Sequence, residues 1–581
     1  MTNSIHIDVD VPMEMRDGAI LKANIYRPDD NEKHPAIFMR AFWKEYGSFW
    51  HLDIFRAVYA GYALVGQVIR GRGTSEGEWV PEDAQGKDGY DSVEWIASQK
   101  WCNGVVGQYG FSHAGGMSAQ TAMENPPHLK AIAPWSSGVG AGRGRRPAGG
   151  TDTGGAMSYI TALQWLSNES RDVVNRMERA GKDVTEIRRS LEWAASNPDE
   201  YIYYLPFKDM PFAKFERIGS MWTNRFRSRS APRSATGEVK TYERVMVPCS
   251  HLTGWYDGPS VGTFESFMNM RKLGGSQLAR EGQYMLCGPW AHTEPLLSYM
   301  GDWNFGNEAA AESPSKYMIN FFDKYLKGKD VQFPPVRFFL MGRNQWFDAD
   351  DWPLPDTQWQ RFYLHSKGKA NTSSGDGLLS REEPGSESPD EFIYDPLNPV
   401  PTLGGSITAS PAGFGLARGP MDQSSIERRH DVLCYTTPPL TENVEITGPI
   451  QIHIFASTSA EDTDFTAKFV DVYPDSRAQN LVDGIKRARG LKSSSQPEFI
   501  TPGEVYEYVI GMGPTSQMFF KGHRICVEIS SSNFPMYDRN MNTGNPIGED
   551  ATGIKAKQTV YHEAKYASYI DLPVIPNRFK L

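Results

Sequence analysis

Gly107-Gln108-Tyr109-Gly110-Phe111-Ser112-His113-Ala114-Gly115-Gly116 is the stretch on which the reading of this 581-residue chain turns. The apolar run Val105 to Gly110 leads into it and reads as a buried strand, and Gly115 to Met123 leads out of it as a helix. A serine between strand and helix, in a G-x-S-x-A setting, is a nucleophile elbow with alanine in the last place. Such a turn is tight and its backbone strained, so side chains two residues either side of the serine would collide. Gly110 removes one of them, Ala114 keeps only a methyl, and Gly115 and Gly116 ease the packing behind. The helix N-terminus also favours negative charge near Ser112. G-x-S-x-A strings arise by chance in a chain with 55 glycines; the strand–turn–helix context separates this one from them.

Upstream, Ile5, Ile7, Val9 and Val11 alternate with polar residues, Arg16-Asp17-Gly18 marks a turn, and Leu21, Ala23 and Ile25 alternate again, which predicts a β-hairpin. Buried strands follow at Ala36 to Arg40 and Tyr62 to Ile69, with helices at 49–60 and 88–99. Ala131-Ile132-Ala133 begins a further strand. Strand and helix alternating at this spacing predict a mostly parallel sheet covered on both faces, the α/β class. The pattern breaks near residue 141. Residues 141–154 are rich in Gly and Arg and read as a loop, and 155–235 read as helices without a strand, with Tyr159, Ala162, Leu163 and Leu166 on one face. The sheet resumes at Pro248 to Gly254 and Tyr284 to Leu286, and a helix follows near 316–326. From about 335 short β-rich runs separated by Gly, Ser and Pro predict a β-sandwich, a jelly roll. The expected organisation is therefore an α/β-hydrolase core over 1–140 and 241–334, a helical cap inserted at 141–240, and a jelly roll over 335–581. A chain this long exceeds the roughly 250–300 residues at which one core stops growing.

The net charge of −10 argues against nucleic acid as a partner, and no apolar run reaches the length a membrane span needs. The start, Met1-Thr2-Asn3-Ser4-Ile5, lacks a charged-then-apolar leader, and five cysteines make no disulfide framework in a chain of this size. Both point to the cytosol. Phe579-Lys580-Leu581 shares only its last two residues with a peroxisomal address and reads as an ordinary terminus. A homodimer is left open.

An elbow serine needs an acid and a base, following in that order. Thr253-Gly254-Trp255-Tyr256-Asp257-Gly258 supplies the acid just past a buried strand. Gly288-Pro289-Trp290-Ala291-His292-Thr293 supplies the base in the same position. Both then belong at the carboxyl edge of the sheet, where the elbow lies and where such sheets bind ligands. His251 is the competing base but falls inside the strand. Asp257 alone reads as a turn residue and His292 alone as an ordinary histidine; three motifs in the right order outweigh those readings. Arg143, Arg145 and Arg146 follow a strand end and read as a solvated loop, or else as an attractor for an acidic substrate group.

The motifs Arg70-Gly71 through Ser75-Glu76-Gly77-Glu78-Trp79, Trp101-Cys102-Asn103-Gly104, the elbow, Gly254-Trp255-Tyr256-Asp257-Gly258 and Gly288-Pro289-Trp290 resemble those of the cocaine esterase/NonD family of hydrolases. That family is related to X-prolyl dipeptidyl peptidases and α-amino acid ester hydrolases. The resemblance continues through Asp351-Trp352-Pro353-Leu354-Pro355, Asp462-Thr463-Asp464-Phe465-Thr466-Ala467-Lys468 and Ser530-Ser531-Ser532-Asn533-Phe534-Pro535. It implies acyl-transfer chemistry on esters or amides without metal or cofactor: Ser112 as nucleophile, His292 as general base, Asp257 as the orienting acid. One oxyanion donor is then the backbone N–H of His113. In the family the second is a tyrosine hydroxyl in an Arg-x-Pro-Tyr setting, but here the chain reads Arg40-Ala41-Phe42-Trp43-Lys44-Glu45-Tyr46. Without gaps Trp43 holds the tyrosine's place, and an indole N–H can only donate; Tyr46 takes the role if the loop is longer, and Trp43 then merely lines the pocket. Trp165 in the cap, Trp255 and Pro259 are the residues expected against a substrate. Related α-amino acid ester hydrolases carry carboxylates after the acid motif, whereas Gly258-Pro259-Ser260-Val261 has no charge.

A small to medium organic ester is the substrate this reading favours. Amide-directed acylases and X-prolyl peptidases share the triad, an acyl transferase replaces water by another acceptor, and a vestigial binding protein would retain only the fold.

Overall fold

The computed structural model describes residues 4–42, 52–78, 85–139, 154–215, 218–220, 241–292, 297–408, 414–491 and 498–576. Its first layer is a ten-stranded sheet built from β1 (Ile5–Glu14), β2 (Ile20–Pro28), β3 (His34–Ala41), β4 (Ala63–Val68), β5 (Cys102–Phe111), β6 (Leu129–Trp135), β7 (Cys249–Tyr256), β8 (Gln283–Ala291), β9 (Val336–Leu340) and β10 (Gln345–Ala349). The spatial order is β1-β2-β4-β3-β5-β6-β7-β8-β9-β10. The hairpin β1–β2 adds antiparallel to β4, the strands from β4 to β9 run parallel, and β10 closes the far edge antiparallel.

Parallel strands buried on both faces need apolar residues at successive positions. In β3, Ala36 and Phe38 enter one core while Ile37 and Met39 enter the other, and β6 divides Ile132 from Ala131 and Ala133 in the same way. The helices Gln85–Ala97 and His113–Met123 cover the first face, and Pro314–Lys327 covers the second with Phe321, Phe322 and Leu326.

Among the described residues the cap includes the helices Tyr159–Arg179, Thr185–Ser196 and Pro198–Tyr203. Their shared core takes in Ile407 and Phe534 from the C-terminal half. The entry to the cap is also tied there by its backbone: Tyr159 and Ile160 N–H groups donate to the Met536 and Pro535 carbonyls at 2.9 and 3.0 Å. Behind this junction the fully buried Arg487 pairs with Asp464 at 2.8 Å and Asp538 at 3.0 Å. On the hydrolase side, Arg72 reaches Asp172 at 3.2 Å and Glu169 at 3.9 Å on the first cap helix. The Gly- and Arg-rich segment with Arg143, Arg145 and Arg146, and cap residues 221–240, lie outside the described residues.

The C-terminal half is a β-sandwich, with eleven strands among the described residues, from Gln358–His365 to Tyr569–Ile575. The sequence border at 335 needs correction. β9 pairs parallel with β8, and β9 and β10 extend the hydrolase sheet rather than the sandwich. The reason is visible in β9, Val-Arg-Phe-Phe-Leu, whose neighbouring Phe338 and Phe339 are both fully buried, as an inner strand requires. Strand Tyr506–Phe519 alternates buried and exposed at first and is then buried at every position from Pro514. The change falls where it passes under the first domain, with Met341 exchanging backbone hydrogen bonds with Ser516 and Met518 at 3.1 and 2.9 Å. Among the described residues no helix is long and apolar enough to cross a membrane.

Candidate active site

Ser112 stands between β5 and the helix His113–Met123 with φ 58° and ψ −124°. Few L-residues hold such a backbone, and strain of this kind gathers at functional sites. The neighbours make it possible. A Cβ added to Gly110 would lie 2.0 Å from the Ala114 carbonyl oxygen, and one added to Gly115 would lie 2.8 Å from the Trp135 carbonyl oxygen. The Ser112 N–H donates to that same Trp135 oxygen at 2.8 Å, which pins the elbow to the end of β6.

The two residues expected as acid and base arrive from adjacent strands. Asp257 follows β7 and His292 follows β8, and Tyr256 and Ala291, the residues just before them, are cross-strand partners. The His292 Nδ1 lies 2.7 Å from Asp257 Oδ1 and its Nε2 lies 2.9 Å from Ser112 Oγ. Asp257 is 1% and His292 6% exposed, so the pair lies away from bulk water, where electrostatic interactions are strong. Thr253 Oγ1 donates to the other carboxylate oxygen of Asp257 at 3.0 Å. The structure thus brings Ser112, His292 and Asp257 into one hydrogen-bonded line. A serine hydroxyl, an imidazole and a buried carboxylate so placed can transfer an acyl group: the imidazole takes the hydroxyl proton and the carboxylate stabilises the cation that results.

His251, the competing base, is sealed inside β7. Its Nε2 meets Gln283 Oε1 at 2.8 Å, and burial pushes its pKa down to about 4 against the smaller opposing effect of that bond. His113 opens the elbow helix, and its ring lies 4.3 Å from the Phe42 ring and 5.4 Å from the Trp165 ring. Trp165 therefore reaches from the cap to the residue next to Ser112. Phe111 packs on the His292 ring at 4.9 Å. Trp255, expected from the sequence to meet the substrate, does not reach the site. It is fully buried, stacks on Phe264 at 5.7 Å and donates its indole N–H to the Phe339 carbonyl at 2.7 Å. On a strand buried on both sides its side chain goes into the core of the domain. Pro259 is buried at the start of the helix Ser260–Leu273. Trp43 and Tyr46 lie outside the described residues.

Thr253 escapes the sequence reading. An acid with one oxygen on an imidazole needs a donor for the other, but Leu252–Gly258 offers two hydroxyls, Thr253 and Tyr256, and the spacing does not choose between them. The Phe42–His113–Trp165 group joins three distant segments and leaves no local signal.

Fold and site together define a serine hydrolase built on an α/β-hydrolase sheet with a helical insert and a C-terminal β-sandwich. The profile of the X-Pro dipeptidyl-peptidase (S15 family) matches residues 17–294, and that of the X-Pro dipeptidyl-peptidase C-terminal non-catalytic domain matches 329–571. The second match begins before β9, so the strands that finish the hydrolase sheet travel in sequence with the sandwich. The chain is 36% identical over 593 residues to the cocaine esterase of Rhodococcus sp. (strain MB1 Bresler), covering 98% of this chain and 99% of that one. The chain belongs to the CocE/NonD family of hydrolases. Among solved structures, an aminopeptidase from a marine sediment Thaumarchaeota archaeon shares the fold with a TM-score of 0.75 at 24% identity, covering 99% of this chain and 96% of that one. An α-amino acid ester hydrolase shares it with a TM-score of 0.74 at 23% identity over 99% and 97%.

Proposed function

We propose that this chain hydrolyses small to medium carboxylic esters through an acyl-enzyme on Ser112. The observation that carries the reading is the unbroken line Asp257–His292–Ser112, ending on a serine held at φ 58°. The Ser112 oxygen attacks the ester carbonyl while His292 Nε2 takes its proton. Collapse of the tetrahedral intermediate expels the alcohol, which receives that proton. Water then enters, gives a proton to His292 and attacks the acyl carbon; the C–Oγ bond breaks, Ser112 regains its proton and the acid leaves. Asp257 keeps the imidazole in the working tautomer and stabilises the imidazolium, with Thr253 holding the second carboxylate oxygen. The oxyanion is assigned to the His113 N–H and to Trp43, or to Tyr46 in its place.

Esters rather than amides are favoured by the relative named as an esterase, which is similar over nearly the whole chain. The S15 profile favours the second reading, an amide or X-Pro substrate. Neutral or acidic acyl groups are favoured over α-amino acyl groups. Gly258-Pro259-Ser260-Val261 carries no charge, and the cap carboxylates Glu169 and Asp172 are engaged by Arg72. An ammonium drawn into a dry cleft without a partner loses several kcal/mol of hydration. The cytosol is the proposed compartment, on five free and buried thiols.

The test is a panel of aryl esters, aryl esters bearing an α-amino group, and X-Pro amides, compared by kcat/KM near pH 7. The plain esters are expected to lead. A clear lead for the aminated esters or the X-Pro amides would replace this reading with the corresponding one.

A further inference from the structure

The residues on both sides of Asp257 are held by the sandwich domain. The Tyr256 side chain is fully buried. Its hydroxyl donates to the Asn480 carbonyl at 3.0 Å and accepts from the Gln479 Nε2 at 3.2 Å. Both partners lie on the sandwich strand Ala478–Arg487. They are themselves fastened: Gln479 Oε1 accepts from Tyr473 at 2.8 Å, Tyr473 accepts from the Trp303 indole at 2.9 Å, and Asn480 Oδ1 accepts from the Met421 N–H at 2.7 Å. On the other side of the acid, a Cβ added to Gly258 would lie 2.1 Å from Thr408 Oγ1 and 3.1 Å from the Ser406 carbonyl oxygen. Because Tyr256 pairs with Ala291, whatever holds Tyr256 also holds the strand end that presents His292.

We propose that Tyr256, clamped by Gln479 and the Asn480 carbonyl, is a positioning residue through which the sandwich domain sets the orientation of Asp257 and, through it, of His292. The inference rests on the acyl-enzyme reading of Ser112. It assigns the C-terminal domain a direct part in acyl transfer. A buried tyrosine could serve packing alone, and phenylalanine would then replace it with little kinetic consequence. Two bonds to a second domain, one residue before the acid, serve alignment, and small misplacements of a catalytic group are expensive in rate.

The experiment uses the full chain with Tyr256→Phe, Asp257→Asn and the pair combined. Tyr256→Phe is expected to lower kcat for an aryl ester about ten- to hundredfold with KM little changed. The acid limb of its kcat/KM profile is expected to move to lower pH, since a displaced carboxylate stabilises the imidazolium less. In the Asp257→Asn background the same change is expected to have almost no further effect, because the two residues act as a unit. Gln479→Met removes one of the two partners of Tyr256 and gives the same reading, with a smaller loss, should Tyr256→Phe fold poorly. An unmoved acid limb, or losses that multiply in the double variant, would overturn the proposal. Fluorophosphonate labelling of the unaltered protein separates the two levels: absence of label on Ser112 removes the acyl-enzyme reading itself, whatever Tyr256 does.

Discussion

The imidazole of His292 sits 2.9 Å from the hydroxyl of Ser112, across 180 residues of chain that contain the whole cap. Two strand ends of one sheet make that approach, and the cap leaves and returns between them. If the contact is the working one, Ser112→Ala should reduce ester hydrolysis by about 10⁵–10⁶ in kcat and abolish fluorophosphonate labelling, and adding His292→Ala should cost little more. Near-normal turnover by the single variant would remove Ser112 from the mechanism.

The elbow should trade stability for activity. Ser112→Gly relieves the positive φ and is expected to raise folding stability by about 1 kcal/mol while destroying activity. Gly110→Ala does the reverse: its new methyl meets the Ala114 backbone, which cannot step aside, and about 3 kcal/mol should be lost. Denaturant unfolding of both variants checks the pair; equal stabilities would mean the turn is not under strain.

The second oxyanion donor is decided by two substitutions. Trp43→Phe is expected to lower kcat by about 10²–10³ with a smaller change in KM. If Tyr46→Phe shows that loss instead, the longer-loop reading holds. Unimpaired kcat in both assigns the role to another group.

A buried charge cluster in the sandwich should shape the pH dependence of stability. His562 faces Asp390 at 2.9 Å and Glu387 at 3.0 Å; Glu387 also holds His365 at 2.7 Å, while Ser366 and Tyr435 donate to Asp390 at 2.7 and 2.8 Å. Burial lowers the pKa of His562, but its bonds to the two carboxylates outweigh that and raise it. Burial raises that of Asp390, and its bonds to His562, the Ala370 N–H, Ser366 and Tyr435 bring it below the ordinary carboxylate value. The contribution of His562 is fully present below the ordinary histidine pKa and is lost as pH rises through its raised value. That of Asp390 is present above the ordinary carboxylate range and is lost as pH falls through its lowered value. Melting temperatures measured from about pH 5 to pH 9 should decline on the alkaline side. His562→Leu should flatten that decline and destabilise by about 3–5 kcal/mol near neutral pH, because it strands buried carboxylates. An unchanged alkaline slope in the variant would show that other groups govern it.

The succession of strands and helices along the chain, the elbow and the two partner motifs were legible because each is a local pattern. A strand buried on both faces must be apolar throughout, a strained turn must have glycine beside it, and an acid or base past a strand end must lie at the carboxyl edge. Burial alone does not say which neighbour covers a residue, and the border at 335 and the role of Trp255 depend on that. β9 has the composition of any inner strand, and only its pairing with β8 assigns it to the first sheet. Trp255 stands two residues before the acid, where strict alternation would give both the same face, but the register shifts between Gly254 and Tyr256, and its indole ends on the Phe339 carbonyl in the core.

By itself the sequence determined the α/β-hydrolase class and the β-rich C-terminal half, and it singled out Ser112, Asp257 and His292 as the residues that belong together, since these follow from periodicity, turn chemistry and motif order along one chain. Only the tertiary structure decided that Thr253 holds the second oxygen of Asp257, that Arg72 joins the cap to the sheet through Asp172 and Glu169, and that Tyr256 reaches Gln479 and Asn480. These contacts join side chains from segments far apart or choose between equivalent hydroxyls nearby. The free energy that selects them comes from packing and desolvation in three dimensions, which no local pattern encodes.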